Sequence, residues 1–307
     1  MKTEKIILGE GTAYPLNGML TLPDTPEERI PAAVFVHGSG ASNMDEKIFK
    51  LTPFRDLAEG LAERGIASLR YDKRSYVHAR KMRKAGPITV MEETVEDAVL
   101  AAELLRKDPR MDPDRIWIIG HSMGAMLAPR IDAEGGDFRG LILMAGTPYR
   151  LEEIMVRQLR QAGQKGGLLG AVVRLEEKIY AKKLQGLDEM PEEEAKRKKF
   201  AGSTTLWYFK EMGRKTAADY LRDSEKPVLI LQGGMDFQVQ PEEDYAGFQE
   251  RLKGRANTEF RLYPELNHAF VKGLYNDVLK ARKEYSVERH IGPEVLGDIA
   301  EFIRRNG

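Results

Sequence analysis

The stretch Ile116-Trp117-Ile118-Ile119-Gly120-His121-Ser122-Met123-Gly124 runs from four apolar residues straight into a serine framed by two glycines. A short, wholly apolar run suits a strand buried on both faces. From Ala125 onward the pattern turns helical, so Ser122 falls on a strand-to-helix turn. The position matters chemically. A hydroxyl of ordinary acidity is a poor nucleophile and must stand clear of the backbone with a base beside it. A sharp turn exposes the hydroxyl, and flanking glycines relieve the crowding where the helix returns close to the strand. Ser122 is therefore the candidate nucleophile.

Outward from this stretch the same alternation repeats. Buried-type runs occur at 32–36, 66–71 and 141–144, after an antiparallel opening at 5–8 and 18–22. Helical patterns lie between them at 54–64 and 94–107, where Val95, Ala98, Ala101, Ala102, Leu104 and Leu105 recur near the helical period. Residues 148–223 hold no clear strand and are rich in Glu, Lys, Arg, Leu and Ala, which reads as several helices; the charged run 192–199 is a solvated helical face. Strands resume at 227–231 and 258–263, with helices after Pro241 and over 293–304. Alternating strands and helices imply an α/β fold, a mostly parallel central sheet with helices on both faces. Neither flank completes the alternation alone, so residues 1–147 and 224–307 form one catalytic domain and 148–223 an inserted helical segment.

Composition excludes several classes of function. Among 307 residues Lys plus Arg and Asp plus Glu are equal at 48 each, so no net field favours nucleic acid or an anionic membrane. The apolar run at the start of the chain is only Ile6-Ile7-Leu8, and no stretch approaches the roughly 20 apolar residues of a spanning helix. The chain has no cysteine, which removes disulfides, thiolate metal sites and a cysteine nucleophile. The cytoplasm is the default compartment. No cofactor and no metal are implied, since no His-Glu motif with metal-ligand spacing occurs. Homo-oligomerisation stays open.

A serine nucleophile needs three kinds of help. His37-Gly38-Ser39-Gly40 follows the strand at 32–36, and a flexible loop there can aim a main-chain N–H at developing negative charge. The expected oxyanion donors are the N–H groups of Ser39 and Met123, with His37 ordering the loop. The base follows by elimination among five histidines. His37 and His121 lie inside motifs, and His78 and His290 lie in polar surroundings. His268 stands just after the strand at 258–263, where a catalytic loop belongs in this architecture. The orienting acid is Asp236, which follows the strand at 227–231 through Gly233-Gly234; Asp132, Glu152 and Asp244 fall in or beside helical patterns. The chain order is then Ser, Asp, His.

With these residues in place the sequence resembles the α/β-hydrolase superfamily, and within it carboxylesterases related to dienelactone hydrolases and to feruloyl and cinnamoyl esterases. Pro15 to Pro23, His37-Gly38-Ser39-Gly40, Arg70-Tyr71-Asp72-Lys73-Arg74, Gly120 to Gly124, Gly233-Gly234-Met235-Asp236 and Asn267-His268 carry the resemblance. After Arg74 such relatives continue in glycine, whereas this chain reads Ser75-Tyr76-Val77-His78-Ala79-Arg80-Lys81, so that loop is expected to be reshaped. The resemblance implies that 148–223 is a lid. Its aromatic run Trp207-Tyr208-Phe209, together with His37, supplies the candidate substrate pocket, with packing of the lid as the equal alternative for the aromatics. It also implies a small-molecule ester as substrate, cleaved through an acyl-enzyme by a Ser-His-Asp triad. A serine aminopeptidase or acyl-thioesterase uses the same machinery, and a non-catalytic binder of this fold is a third class.

Overall fold

Side chains alternate between the two faces of a strand, and in the middle of this sheet both faces are apolar. The computed structural model describes residues 1–24, 29–164 and 167–307. Its strands are β1 (Lys2–Leu8), β2 (Leu16–Leu22), β3 (Ile30–Val36), β4 (Ala67–Tyr71), β5 (Met111–His121), β6 (Leu141–Met144), β7 (Lys199–Ala201), β8 (Thr204–Thr205), β9 (Val228–Gly233) and β10 (Thr258–Tyr263). Eight of them form one sheet in the order β1-β2-β4-β3-β5-β6-β9-β10. Neighbours from β4 to β10 run parallel, while β2 pairs antiparallel with both β1 and β4. This is the expected α/β-hydrolase arrangement.

Ala32, Val34, Ile116 and Ile118 share one core with Ala98, Ala101 and Leu105 of the helix Glu96–Lys107 and with Leu127 and Ile131 of the helix Met123–Ile131. The intervening Ala33, Phe35, Trp117 and Ile119 meet Phe54, Leu57 and Leu61 of the helix Pro53–Ala62, and Val295, Ile299 and Phe302 of the helix Pro293–Asn306. Each large apolar side chain buried this fully contributes about 1.5–3 kcal/mol. The strand that delivers Ser122 is thus anchored from both sides. It also starts earlier than expected, at Met111, because its pairing with β3 shifts register between Ile30 and Ala32. That irregularity accommodates Pro113, which has no N–H to give to a ladder.

Between β6 and β9 lie the helices Leu151–Gln164, Gly167–Leu184, Glu192–Arg197, Leu206–Met212 and Ala217–Arg222. The expectation of a strandless insertion is corrected by a small hairpin, in which Lys199 pairs with Thr205 and Ala201 with Thr204. Gly202 makes its turn at φ +55°, and strands this short leave no periodic signature in sequence. The insertion has its own apolar cluster of Leu187, Ala195, Phe200, Leu206 and Phe209. Along the charged run, Lys196 pairs with Glu193 at 2.8 Å and Lys198 with Glu194 at 2.6 Å, on an exposed helical face. Arg130 of the main domain pairs with Glu211 of the insertion and joins the two parts.

Candidate active site

Parallel pairing sets Val36 beside Gly120, His121 beside Met144, Met144 beside Leu231, and Gly233 beside Tyr263. The loops leaving β3, β5, β9 and β10 therefore open along one edge of the sheet, where ligands bind in open α/β folds. They carry the Ser39 loop, Ser122, Asp236 and His268 respectively.

Ser122 has φ 55° and ψ −118°, a left-handed conformation that a residue with a side chain adopts at a cost of about 1–3 kcal/mol. Its N–H donates to Met144 O at 2.8 Å, which fixes the turn against β6. The two glycines are sterically required. A Cβ on Gly124 would run into the carbonyl of Val36, and one on Gly120 into the carbonyl of Gly124. Met123 opens the following helix, so its N–H has no acceptor within that helix and is free to face the edge of the sheet.

His268 and Asp236 come together in a buried pair, Nδ1 to Oδ2, at 2.7 Å. The carboxylate is held from several directions: Oδ1 accepts from the N–H groups of Gln238 (2.8 Å) and Val239 (2.9 Å), and Gln232 Nε2 lies 3.1 Å from Oδ2. Asn267 orders the histidine loop, with Oδ1 accepting from Ala269 N–H at 2.9 Å and Nδ2 donating to the buried Glu284 at 2.6 Å. The loop also meets the turn that carries Ser122. The ring of His121, next to Ser122, lies 4.8 Å from the ring of His268, and its Nε2 is 2.9 Å from His268 O.

On the side of the Ser39 loop, a Cβ on Gly38 would lie 3.2 Å from the Cβ of Ser122, so the loop is within reach of the serine. The buried Lys73 donates to Gly38 O at 2.9 Å. That carbonyl belongs to the same trans peptide as the N–H of Ser39, so holding one end turns the other away from Lys73. Lys73 Nζ is also 3.5 Å from Glu93 Oε1, and Tyr208 donates to Glu93 Oε2 at 2.6 Å while lying 3.6 Å from Met123 Sδ. Burial pushes the Lys73 ammonium below the usual lysine range, against the pull of Glu93 and Glu46. Burial and Glu93 together raise the Tyr208 phenol. Sequence reasoning did not connect the insertion to the Ser39 loop through Glu93; Tyr208 reads there only as a pocket residue and Lys73 only as part of the Tyr-Asp-Lys-Arg segment.

A cavity of about 400 Å³ lies beside the Ser39 loop, lined on one side by Ser39, Met82, Ile88 and Met123 and on the other by Leu151, Met155, Phe200, Tyr208 and Phe209 of the insertion. Two of the residues expected in the substrate pocket lie away from this cavity. Trp207 does not line the cavity, because it sits between Lys196 and Arg214, 5.2 and 5.1 Å from its ring. His37 does not line it either: it is buried against Phe54 and Tyr71, with Nε2 3.0 Å from Asn43 O, and burial pushes its imidazole down to about 4. The segment after Arg74 is helical. It forms the helices Arg74–Val77 and Ala79–Ala85, and Ser75, Ala79, Met82 and Arg83 face the cavity. Larger grooves of about 1030 and 810 Å³ lie elsewhere, one by Leu141 and Pro227 at the opposite end of the strands and one between the insertion's first two helices. Among the described residues no cluster of His, Asp or Glu is arranged to hold a metal ion.

The other carboxylates are engaged away from His268. Asp244 accepts from Thr147 and Gln240 and pairs with Arg157, and Asp132 accepts from Phe138 N–H and Lys226. Glu152 is buried in the insertion, where desolvation pushes its carboxyl up to about 7 against the weaker pull of its own backbone N–H and Arg150. Its folded pKa exceeds the unfolded value of about 4.3, so this group removes stability as pH rises from roughly 4 to 7 and the penalty persists above. Glu152→Gln is expected to raise Tm near pH 8 and to leave it unchanged near pH 4, in a series of thermal melts. A gain of equal size at both pH values would reject the burial argument.

Comparison with known proteins follows this geometry. A family model described as Hydrolase_4, serine aminopeptidase, S33, matches residues 47–273. Esterase EstD of Thermotoga maritima is 33% identical over 294 residues, which are 95% of this chain; the chain spans 66% of the length of that relative. Among solved structures, Est1E from Butyrivibrio proteoclasticus matches with a TM-score of 0.60 at 17% identity, over 98% of each chain. Esterase Pf2001 of Pyrococcus furiosus matches with a TM-score of 0.58 at 17% identity, over 99% of this chain and 91% of its own. At these identities the two structures share the fold.

Proposed function

Since this chain belongs to the Hydrolase_4 family, described as serine aminopeptidase S33, we propose that it is a serine hydrolase that cleaves small carboxylic esters through an acyl-enzyme. The observation that carries this reading is the buried His268–Asp236 pair at 2.7 Å, packed against the strained turn that presents Ser122. Ser122 attacks the ester carbonyl while His268 takes its proton, and Asp236 holds the imidazole with Nδ1 protonated so that Nε2 is the base. The N–H groups of Ser39 and Met123 receive the oxyanion. His268 then protonates the leaving alkoxide, and a water activated by the same histidine releases the acid.

Residues 148–223 act as a lid, and the cavity they share with the main domain takes the acyl group. Its walls are mainly apolar, which suits an uncharged acyl chain. Met155→Trp, which fills the cavity, is expected to lower kcat/KM for p-nitrophenyl butyrate about tenfold relative to the acetate. Trp207→Ala is expected to lower Tm and leave that ratio unchanged. The reverse pattern would move the acyl site to the other side of the helix Leu206–Met212.

Esterase EstD supports the ester reading. The amide reading has one observation in its favour besides the family description: Glu93 lines the cavity, and a carboxylate there is able to meet a substrate ammonium. Glu93 is, however, already bonded to Tyr208 and paired with Lys73. The deciding experiment compares kcat/KM for p-nitrophenyl acetate and butyrate with that for p-nitroanilides of alanine, leucine and proline, each corrected for its uncatalysed rate. Esters are expected to dominate, since an amide demands protonation of its leaving nitrogen and a fixed register for the peptide. A corrected ratio favouring an anilide would replace the esterase reading with an aminopeptidase one.

A further inference from the structure

Beside the proposed triad lies a second acid-histidine pair that the reaction as written does not use. Glu46 and His121 are buried, at 5% and 4% exposure. Glu46 Oε2 lies 2.9 Å from His121 Nδ1, close enough for an ion pair though off the line of a good hydrogen bond. Glu46 Oε1 accepts from Gly38 N–H at 2.7 Å, and His121 Nε2 lies 2.9 Å from His268 O. The pair thereby touches three loops at once: the one bearing Ser39, the turn bearing Ser122 and the one bearing His268.

The chemistry of these contacts defines the state of His121. A carbonyl only accepts, so Nε2 must carry a proton; Nδ1 lies 2.9 Å from Glu46 Oε2, a contact that is attractive for an ionised carboxylate only when that nitrogen is protonated too. Both ring nitrogens are protonated only in the imidazolium. Burial alone would push His121 down, but Glu46, His268 O and Asp236 outweigh it and hold the imidazole above its usual range. Burial pushes Glu46 up, and His121, His37 and the Gly38 N–H hold it below the usual carboxylate range. Backbone strain is a separate sign of constraint: Glu46 has φ +49° without being glycine, a conformation that persists where the surroundings over-determine it.

We propose that Glu46 and His121 are positioning residues that lock the oxyanion loop and the base loop in register about Ser122. Glu46 holds the N–H of Gly38 while Lys73 holds its carbonyl, so the residue before the Ser39 donor is fixed at both ends. His121 holds the main chain of His268 while Asp236 holds its ring. Neither Glu46 nor His121 exchanges a proton with substrate. This rests on the serine-hydrolase reading above for its effect on rate, but the state of His121 does not.

The test has two arms. Histidine ring NMR on the wild-type protein is expected to show His121 still an imidazolium near pH 7, above the ordinary histidine midpoint, and to show it neutral there in Glu46→Gln. In ester turnover, Glu46→Gln and His121→Gln are each expected to lower kcat on the order of 10- to 100-fold with KM within about twofold, as loss of one aligned donor does. The double variant should be little worse than either single one, because both remove the same lock. The groups facing His121 are Glu46, His268 and Asp236, with His37 and Lys73 acting through Glu46. A neutral His121 in the wild-type protein near pH 7 overturns the proposal, as does a Glu46→Gln enzyme with unchanged kcat. Absence of all ester turnover in the wild-type protein would instead sink the esterase reading, and the NMR arm still decides the pair.

Discussion

Ser122→Ala is expected to lower ester turnover by about 10⁴-fold or more and to abolish covalent capture by a fluorophosphonate, with Tm unchanged. The size follows from how the residues act together. Without the hydroxyl, His268 has no serine proton to accept and Asp236 no imidazolium to stabilise, and only the oxyanion donors and substrate binding remain. Stability should hold because alanine keeps the Cβ and meets the same φ of 55° that the serine already tolerates. The turn is held by backbone, through Ser122 N–H to Met144 O and the close approach of Gly124 to Val36. Turnover and labelling should therefore fall while the melt stays put. Persistent labelling of Ser122→Ala would mean that another hydroxyl is the nucleophile.

What the sequence revealed depended on whether a signal was local. The run at 141–144 is bounded as expected, since a strand buried among neighbours needs little more than apolar residues between turn signals, and so is the edge strand at 258–263, where Thr258, Phe260 and Tyr263 favour a strand between Asn257 and Pro264. Ser122, Asp236 and His268 were each legible as loop residues after strands, and the structure brings His268 and Asp236 into contact. Glu46 was not legible. It lies in the polar segment Asn43-Met44-Asp45-Glu46-Lys47, which reads as solvated loop, and only its long-range contacts with Gly38 and His121 bury it. Trp207 shows the opposite failure. Consecutive residues on a helix lie about 100° apart, so Trp207, Tyr208 and Phe209 cannot all face one pocket. Tyr208 and Phe209 take the cavity, and Trp207 turns to the basic surface of Lys196 and Arg214.

Asp236→Asn is expected to be at least as damaging as Asp236→Ala, with kcat reduced roughly 10³- to 10⁴-fold. The reason lies in which oxygen is already committed. Oδ1 accepts from both the Gln238 and Val239 N–H groups, so an asparagine must keep its carbonyl oxygen there. Its NH₂ group then takes the place of Oδ2, facing His268 Nδ1 and the Gln232 amide. An NH₂ group only donates, so His268 must turn Nδ1 into an acceptor and carry its proton on Nε2. That is the nitrogen that has to receive the proton of Ser122, and in this tautomer it cannot. Alanine imposes no tautomer; it leaves the ring loose but able to sample the productive form. The fold should survive the asparagine, because the loop keeps its two backbone hydrogen bonds. The measurement is kcat for both variants with p-nitrophenyl acetate, alongside the ring NMR of His268. An asparagine variant that keeps more than about a tenth of the wild-type rate, or a His268 still protonated on Nδ1 in that variant, would show that the Asp236 contact does not set the tautomer.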